Sequence, residues 1–175
     1  MKSFILAALA VMALTFGSAQ ATTLSGSVGT MVNQPSNQYS RAFDVRVQQD
    51  NLGVQLSETG TVNRVEVDYK IVPVEAVKFV SVNVGAGDAT GAGVIGHYTY
   101  SVEPKVTVPV GADVTVFAGY KFRNSVVKTV RDETRTASVG ASYKLTETVD
   151  VSVKFQRVQG DIRQTVASVG TSLSF

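Results

Sequence analysis

Few residues in this 175-residue chain are equipped for chemistry. Its one histidine, His97, opens the run His97, Thr99, Ser101, Glu103, with Tyr98 and Tyr100 in between. An imidazole close to a hydroxyl and a carboxylate is the raw material of base-assisted nucleophilic attack, in which the ring takes the hydroxyl proton. A single histidine excludes a multi-histidine metal centre, and the lack of cysteine excludes thiolate ligands and disulfides. The stretch GAGDATGAG (85–93) has the glycine content of a phosphate-cradling loop. It lacks that motif's spacing and following helix, so it reads as a flexible surface loop. The charged segment KTVRDETR (128–135) reads as a solvated loop, a place where an extracellular ligand would be met. No cofactor and no catalysis is expected.

The elements that carry these residues are strands. From 94 to 110 the even positions are mostly apolar, including Val94, Tyr98, Tyr100, Val102, Val106, Val108 and Val110. The odd positions include His97, Thr99, Ser101, Glu103, Lys105 and Thr107, which is the period of a half-buried strand. Gly111-Ala112-Asp113 makes a turn, and the alternation resumes with Val114, Val116, Ala118, Tyr120 and Phe122 opposite Thr115, Phe117, Gly119, Lys121 and Arg123. Three more strands follow, near 135–145, 149–157 and 165–175. The first half offers five, near 23–32, 39–50, 53–58, 62–72 and 77–86, of which 53–58 is the weakest. Phe79 and the Val80, Val82, Val84 series leave the face of the fifth ambiguous. The connections read as short turns at one rim and longer loops at the other, with 59–61 the exception.

The chain opens MKSFILAALAVMALTFGSAQA: one lysine, an apolar stretch, then small residues. That is the layout of a secretory signal peptide cut after Ala21, and the apolar run is short for a spanning helix. Residues 1–21 are therefore the expected signal and 22–175 a single domain. Removing Lys2 leaves fifteen basic residues against 14 acidic, with no basic footprint for nucleic acid.

Alternation alone does not say whether the apolar face meets a core or lipid; soluble and membrane barrels share the period and invert its meaning. The polar face carries charge in mid-strand: Asp44, Arg46, Arg64, Glu66, Asp68, Lys70, Glu103, Lys105, Lys121, Lys144 and Lys154, with His97 among them. In a membrane these must point inward, since each Lys or Arg facing lipid near the midplane costs about 2–4 kcal/mol. Arg64 or Lys70 paired with Glu66, Asp68 or Glu103 would then hold a narrow lumen shut. With the N-terminus in the periplasm, Tyr39, Phe43, Tyr98, Tyr120, Phe122 and Phe155 sort toward the loop end. Tyr69, Tyr143 and Phe175 sort toward the turn end, as two interfacial belts would. Arg41, Arg135 and Arg157 interrupt the apolar face at loop-side strand ends. They read either as contacts to lipopolysaccharide phosphates or as solvated rim residues.

The signal layout, the meander, VFAGYKF (116–122) and the C-terminal SVGTSLSF (168–175) resemble the small outer-membrane β-barrel proteins of the OmpA and OmpX kind. The resemblance covers the whole mature chain. It implies an all-β, closed up-and-down antiparallel transmembrane barrel, with ten strands preferred and eight the alternative. It also implies localisation in the cell outer membrane, lipid and lipopolysaccharide as surroundings, and Val169, Leu173 and Phe175 as the signal read by the barrel-assembly machinery. Thr171 and Ala167 match that signal weakly. Some barrels of this class are lipid A deacylases or omptin proteases. A deacylase must present its nucleophile to lipid, whereas parity puts His97 and Ser101 on the lumen side, and His-x-Thr departs from that family's Ser. The function expected is a structural or surface-interaction barrel with a narrow polar lumen. A small-solute pore and a soluble periplasmic ligand-binding barrel are the alternatives.

Overall fold

In a computed structural model the described residues are 22–34, 36–60, 62–72, 79–91, 94–125, 133–160 and 163–175, with 91 and 94–97 described by backbone course. The expected signal, residues 1–21, and most of the charged 128–135 segment lie outside them. Ten strands follow in order: β1 Thr22–Gln34, β2 Gln38–Gln49, β3 Leu52–Thr59, β4 Val62–Ile71, β5 Val80–Gly91, β6 Val94–Pro109, β7 Val114–Ser125, β8 Thr134–Lys144, β9 Val149–Gln159 and β10 Arg163–Ser174. Each pairs antiparallel with its neighbours in sequence, and β1 pairs with β10, so the sheet is a closed up-and-down barrel.

Closure runs through the last residue. Thr22 N–H donates to the Phe175 carbonyl at 3.3 Å, and Phe175 N–H donates to the Thr22 carbonyl at 3.0 Å. Above that pair, Leu24 faces Leu173 and Val28 faces Val169 in register. Both ends of the described chain sit at one rim, here the terminal rim; the other is the distal rim.

The fifth strand and its loop differ from the sequence expectation. Residues 85–91 are not a surface loop; they continue β5 and pair along β4, Glu66 with Gly87 and Asp68 with Gly85. Glycine serves there because the backbones approach closely: a Cβ on Gly87 would press on the Val65 carbonyl and lie 3.0 Å from the Glu66 Cα. With β5 extended, the asymmetry of short turns and long loops disappears. The β4–β5 connection at the terminal rim spans 72–79, whereas β5–β6 at the distal rim spans only 92–93. Tight turns are served by Asp50 at φ 51°, Gly60 at φ 62° and Gly111 at φ 93°. The ladder between β6 and β7 breaks at Glu103 and Pro104, where proline has no N–H to give.

The apolar face points outward. Val28, Val65, Val67, Val84, Val102, Val116, Val139, Val153 and Val169 are all exposed. Opposite-parity neighbours such as Ser27, Glu66, Asp68, Ser101 and Ser168 are buried or half-buried. The soluble-barrel alternative requires the reverse, a wet exterior and an apolar core, and is corrected by this arrangement. Exposed aromatics mark both rims, Tyr39, Tyr98 and Phe155 toward the distal one and Tyr69, Phe79, Tyr143 and Phe175 toward the terminal one, while Phe43, Tyr100 and Tyr120 stand nearer mid-strand and Phe122 is half-buried. This is the exterior of a barrel surrounded by hydrocarbon.

Val169, 59% exposed at mid-height between Val28 and Val153, tests that surface. Val169→Arg is expected to destabilise the barrel in lipid vesicles by about 2–4 kcal/mol, read by urea titration. An exterior facing water would register less than about 0.5 kcal/mol.

Candidate functional site

Strand parity sends one side chain in two into the lumen, and the inward set is rich in charge. The cavity there has a volume of about 710 Å³. Its wall includes seven cations, Arg46, Arg64, Lys70, Lys105, Lys121, Arg123 and Lys154, against three acids, Asp44, Glu103 and Glu133. Glu66 and Asp68 do not reach the cavity, because their partners cover them to 4% and 3% exposure.

Glu66 on β4 is the hub. Its Oε1 accepts from Lys121 Nζ and, at 2.9 Å, from the Ser101 hydroxyl; its Oε2 accepts from Arg123 Nη2 at 2.7 Å. Asp68 accepts from Arg46 Nη2 at 2.6 Å. Asp44 accepts from the Ser27 hydroxyl, with Lys154 Nζ 4.0 Å away. Two of these contacts step over an intervening strand, and each step crosses a glycine. Arg46 on β2 reaches Asp68 on β4 across Gly53 of β3, where a Cβ would lie 2.5 Å from Arg46 Nη2 and 2.9 Å from Asp68 Oδ1. Ser101 on β6 reaches Glu66 across Gly85 of β5, where a Cβ would lie 2.8 Å from the hydroxyl and 3.0 Å from the carboxylate.

The partners that Glu66 and Asp68 take come from other strands than β4. Residues two apart on one strand stand side by side with parallel side chains, whereas long cations on β2 and β7 approach the acids end-on across the lumen. Lys70 and Lys105 make no ion pair within 4.0 Å among the described residues. Lys105 instead lies over the ring of Phe117, 4.8 Å from its centroid, a cation–π contact. That inward ring packs against Gly140, where a Cβ would collide with it. Lys105 is within electrostatic reach of Glu103, Arg46, Lys154 and Lys70.

Lys144, expected in the lumen network, is exposed at the terminal rim opposite Asp150, because β8 ends there. Arg123 shares the parity of Lys121 and joins the network from nearer the strand end, beyond the residues that the sequence reading assigns to it. His97 is placed on β6 opposite Ala89, and its side chain lies outside the described residues. Ser101, the hydroxyl of the nucleophile reading, spends its proton on Glu66. Among the described residues no group of three acidic or imidazole side chains could hold a metal ion.

On the outer face Arg41, Arg135 and Arg157 are exposed in the distal third, as is Arg163 on the same face of β10. Arg135 donates to Glu133 at 2.7 Å. Val169, Leu173 and Phe175 all face outward.

No family model and no curated protein matches the sequence. Solved structures do. The NanC porin is similar with a TM-score of 0.54 and 11% identity, over 85% of this chain and 98% of that one. The KdgM porin is similar with a TM-score of 0.50 and 16% identity, over 86% and 99%. The translocator domain of the autotransporter NalP from Neisseria meningitidis is similar with a TM-score of 0.50 and 9% identity, over 96% and 94%. The fold is therefore that of outer-membrane β-barrels. Its bearers include both porins and a translocator, so the fold by itself does not select a function.

Two substitutions test the charged wall. Glu66→Gln leaves Lys121 and Arg123 without their counter-charge and is expected to cost about 3 kcal/mol, the low end for a broken buried pair because both cations border the cavity. Gly87→Ala is expected to cost about 1–3 kcal/mol through its backbone collision. Gly53→Ala should cost less, since the Arg46 and Asp68 side chains can move aside. Denaturant titrations of the three variants in vesicles give the ranking.

Proposed function

We propose that this chain is a narrow outer-membrane pore for small hydrophilic solutes. The observation that carries the reading is the extent of the lumen cavity. It is lined from Thr23, Gln48, Lys70 and Thr107 near the terminal rim to Thr59, Thr134 and Gln164 near the distal rim. A polar cavity of about 710 Å³ lined at both heights is room for water and small hydrophilic solutes. The outward valines, the aromatics at both rims and the similarity in fold to the NanC and KdgM porins support placement in the outer membrane.

The same reading has the chain exported by its first 21 residues and inserted by the barrel-assembly machinery through Val169, Leu173 and Phe175. Arg41, Arg135 and Arg157 then sit where lipopolysaccharide phosphates lie, and the distal loops meet whatever is outside. No catalytic role is assigned to the His97 to Glu103 run.

A second reading, a structural or surface-interaction barrel that conducts poorly, is favoured by two features. The Glu66 and Asp68 pairs brace the wall, and Met31, Ala89 and Val166 are buried apolar side chains on the lumen face toward the distal rim. Planar bilayers separate the two. Reconstituted protein, confirmed as folded by its heat-modifiable gel mobility, is expected to give small discrete current steps. A silent bilayer with folded protein present would leave the structural reading in place.

A further inference from the structure

We infer that the lumen selects anions, admitting small inorganic and organic anions in preference to cations. The inference rests on the pore reading above and names the solute class of that pore.

Sequence composition gives no hint of it, because the chain is almost charge-neutral. The fold separates the charges. Glu66 and Asp68 are withdrawn from the wall and neutralise charge among Lys121, Arg123 and Arg46, and with both of them counted beside Asp44, Glu103 and Glu133 the lining cations still outnumber the acids seven to five. The excess includes the terminal half of the passage, where Lys105 shares the lumen with Arg46, Lys70 and Lys154. Arg46 is committed to Asp68, and Asp44 approaches Lys154 at 4.0 Å, whereas Lys70 and Lys105 make no ion pair within 4.0 Å among the described residues and Glu103 is the acid that acts on Lys105.

Two physical effects turn that excess into selectivity. A charged cleft with low-dielectric walls focuses its field along the open path, and rings of Lys and Arg are what anion pores present to their solutes. One uncompensated charge about 7 Å from the ion's path enriches anions roughly threefold before salt screening. Lys105 is also held in place, its ammonium over the Phe117 ring and that ring seated on Gly140. Its charge therefore stays in the passage.

Reversal potentials across a bilayer with a tenfold KCl gradient read this out, using the full mature chain. Unmodified protein is expected to pass chloride over potassium by more than about threefold. Lys105→Glu should lower the ratio, and Lys105→Glu combined with Lys154→Glu should reverse its sign. Should Lys105→Glu fail to fold, Lys70→Glu on β4 makes the same charge change at another point of the ring and is expected to lower the ratio too. Open channels that are unselective or favour potassium, or a ratio unmoved by these variants, would overturn the inference while the pore stands. The absence of any channel overturns pore and selectivity together.

Discussion

Backbone hydrogen bonding in the absence of water is the constraint on which the rest of this molecule depends. In hydrocarbon a bare N–H or C=O has nothing to pair with, so a spanning sheet has to close on itself. The reciprocal bonds between Thr22 and Phe175 are the seam of that closure. Once the seam is fixed, the strand number is even and both described ends share a rim. Every side chain is then assigned to lipid or lumen by its parity. The outward valines and the inward charges are two readings of that one assignment.

Parity fills the lumen with charge, and glycine decides how the charge is arranged. In a sheet, directly opposite partners are the ordinary neighbours, and pairs two strands apart meet only if nothing stands between. Gly53 and Gly85 clear such crossings for Arg46 with Asp68 and for Ser101 with Glu66. Gly140 does the same for the Phe117 ring, and through it for Lys105. The inward glycines shape the passage as much as the charged residues do, by allowing acids to be buried against the wall while unpaired lysines project from it.

Much of this was legible in the sequence. Strict alternation from 94 to 123 and from 135 to 175 gave five strands and their faces, because a period of two is hard to produce in any other way, and five weaker stretches before residue 87 completed the count of ten. The terminal-rim aromatics Tyr69, Tyr143 and Phe175 followed once strand direction was assigned, whereas Phe43 and Tyr120 stand nearer mid-strand than a belt would put them. What failed was the glycine-rich stretch 85–91: glycine signals loops on average, and the same residue admits close strand packing, a difference that depends on the neighbouring strand rather than on the stretch itself. Reading 85–91 as a loop also implies an asymmetry of rims that the strands do not have. Pairing partners were similarly out of reach. Knowing that Glu66 and Arg123 face one lumen does not say that they meet, because that depends on register across three strand interfaces.

Net charge is a property of a chain, whereas a solute in the lumen meets only the charge that lines its path. Here the two diverge because burying a carboxylate behind two cations neutralises it without removing both of those cations from view: Lys121 and Arg123 share Glu66, and one positive charge is left over. Lys70 and Lys105 add to that remainder, while acids such as Glu58, Asp88 and Glu147 lie exposed elsewhere. A chain with little net charge thereby encloses an electropositive cavity. The arrangement is stable because the excess cations border the cavity rather than lying sealed in the wall. Solvation there makes unpaired lysine tolerable, and it is the same access that the proposed selection of anions relies on.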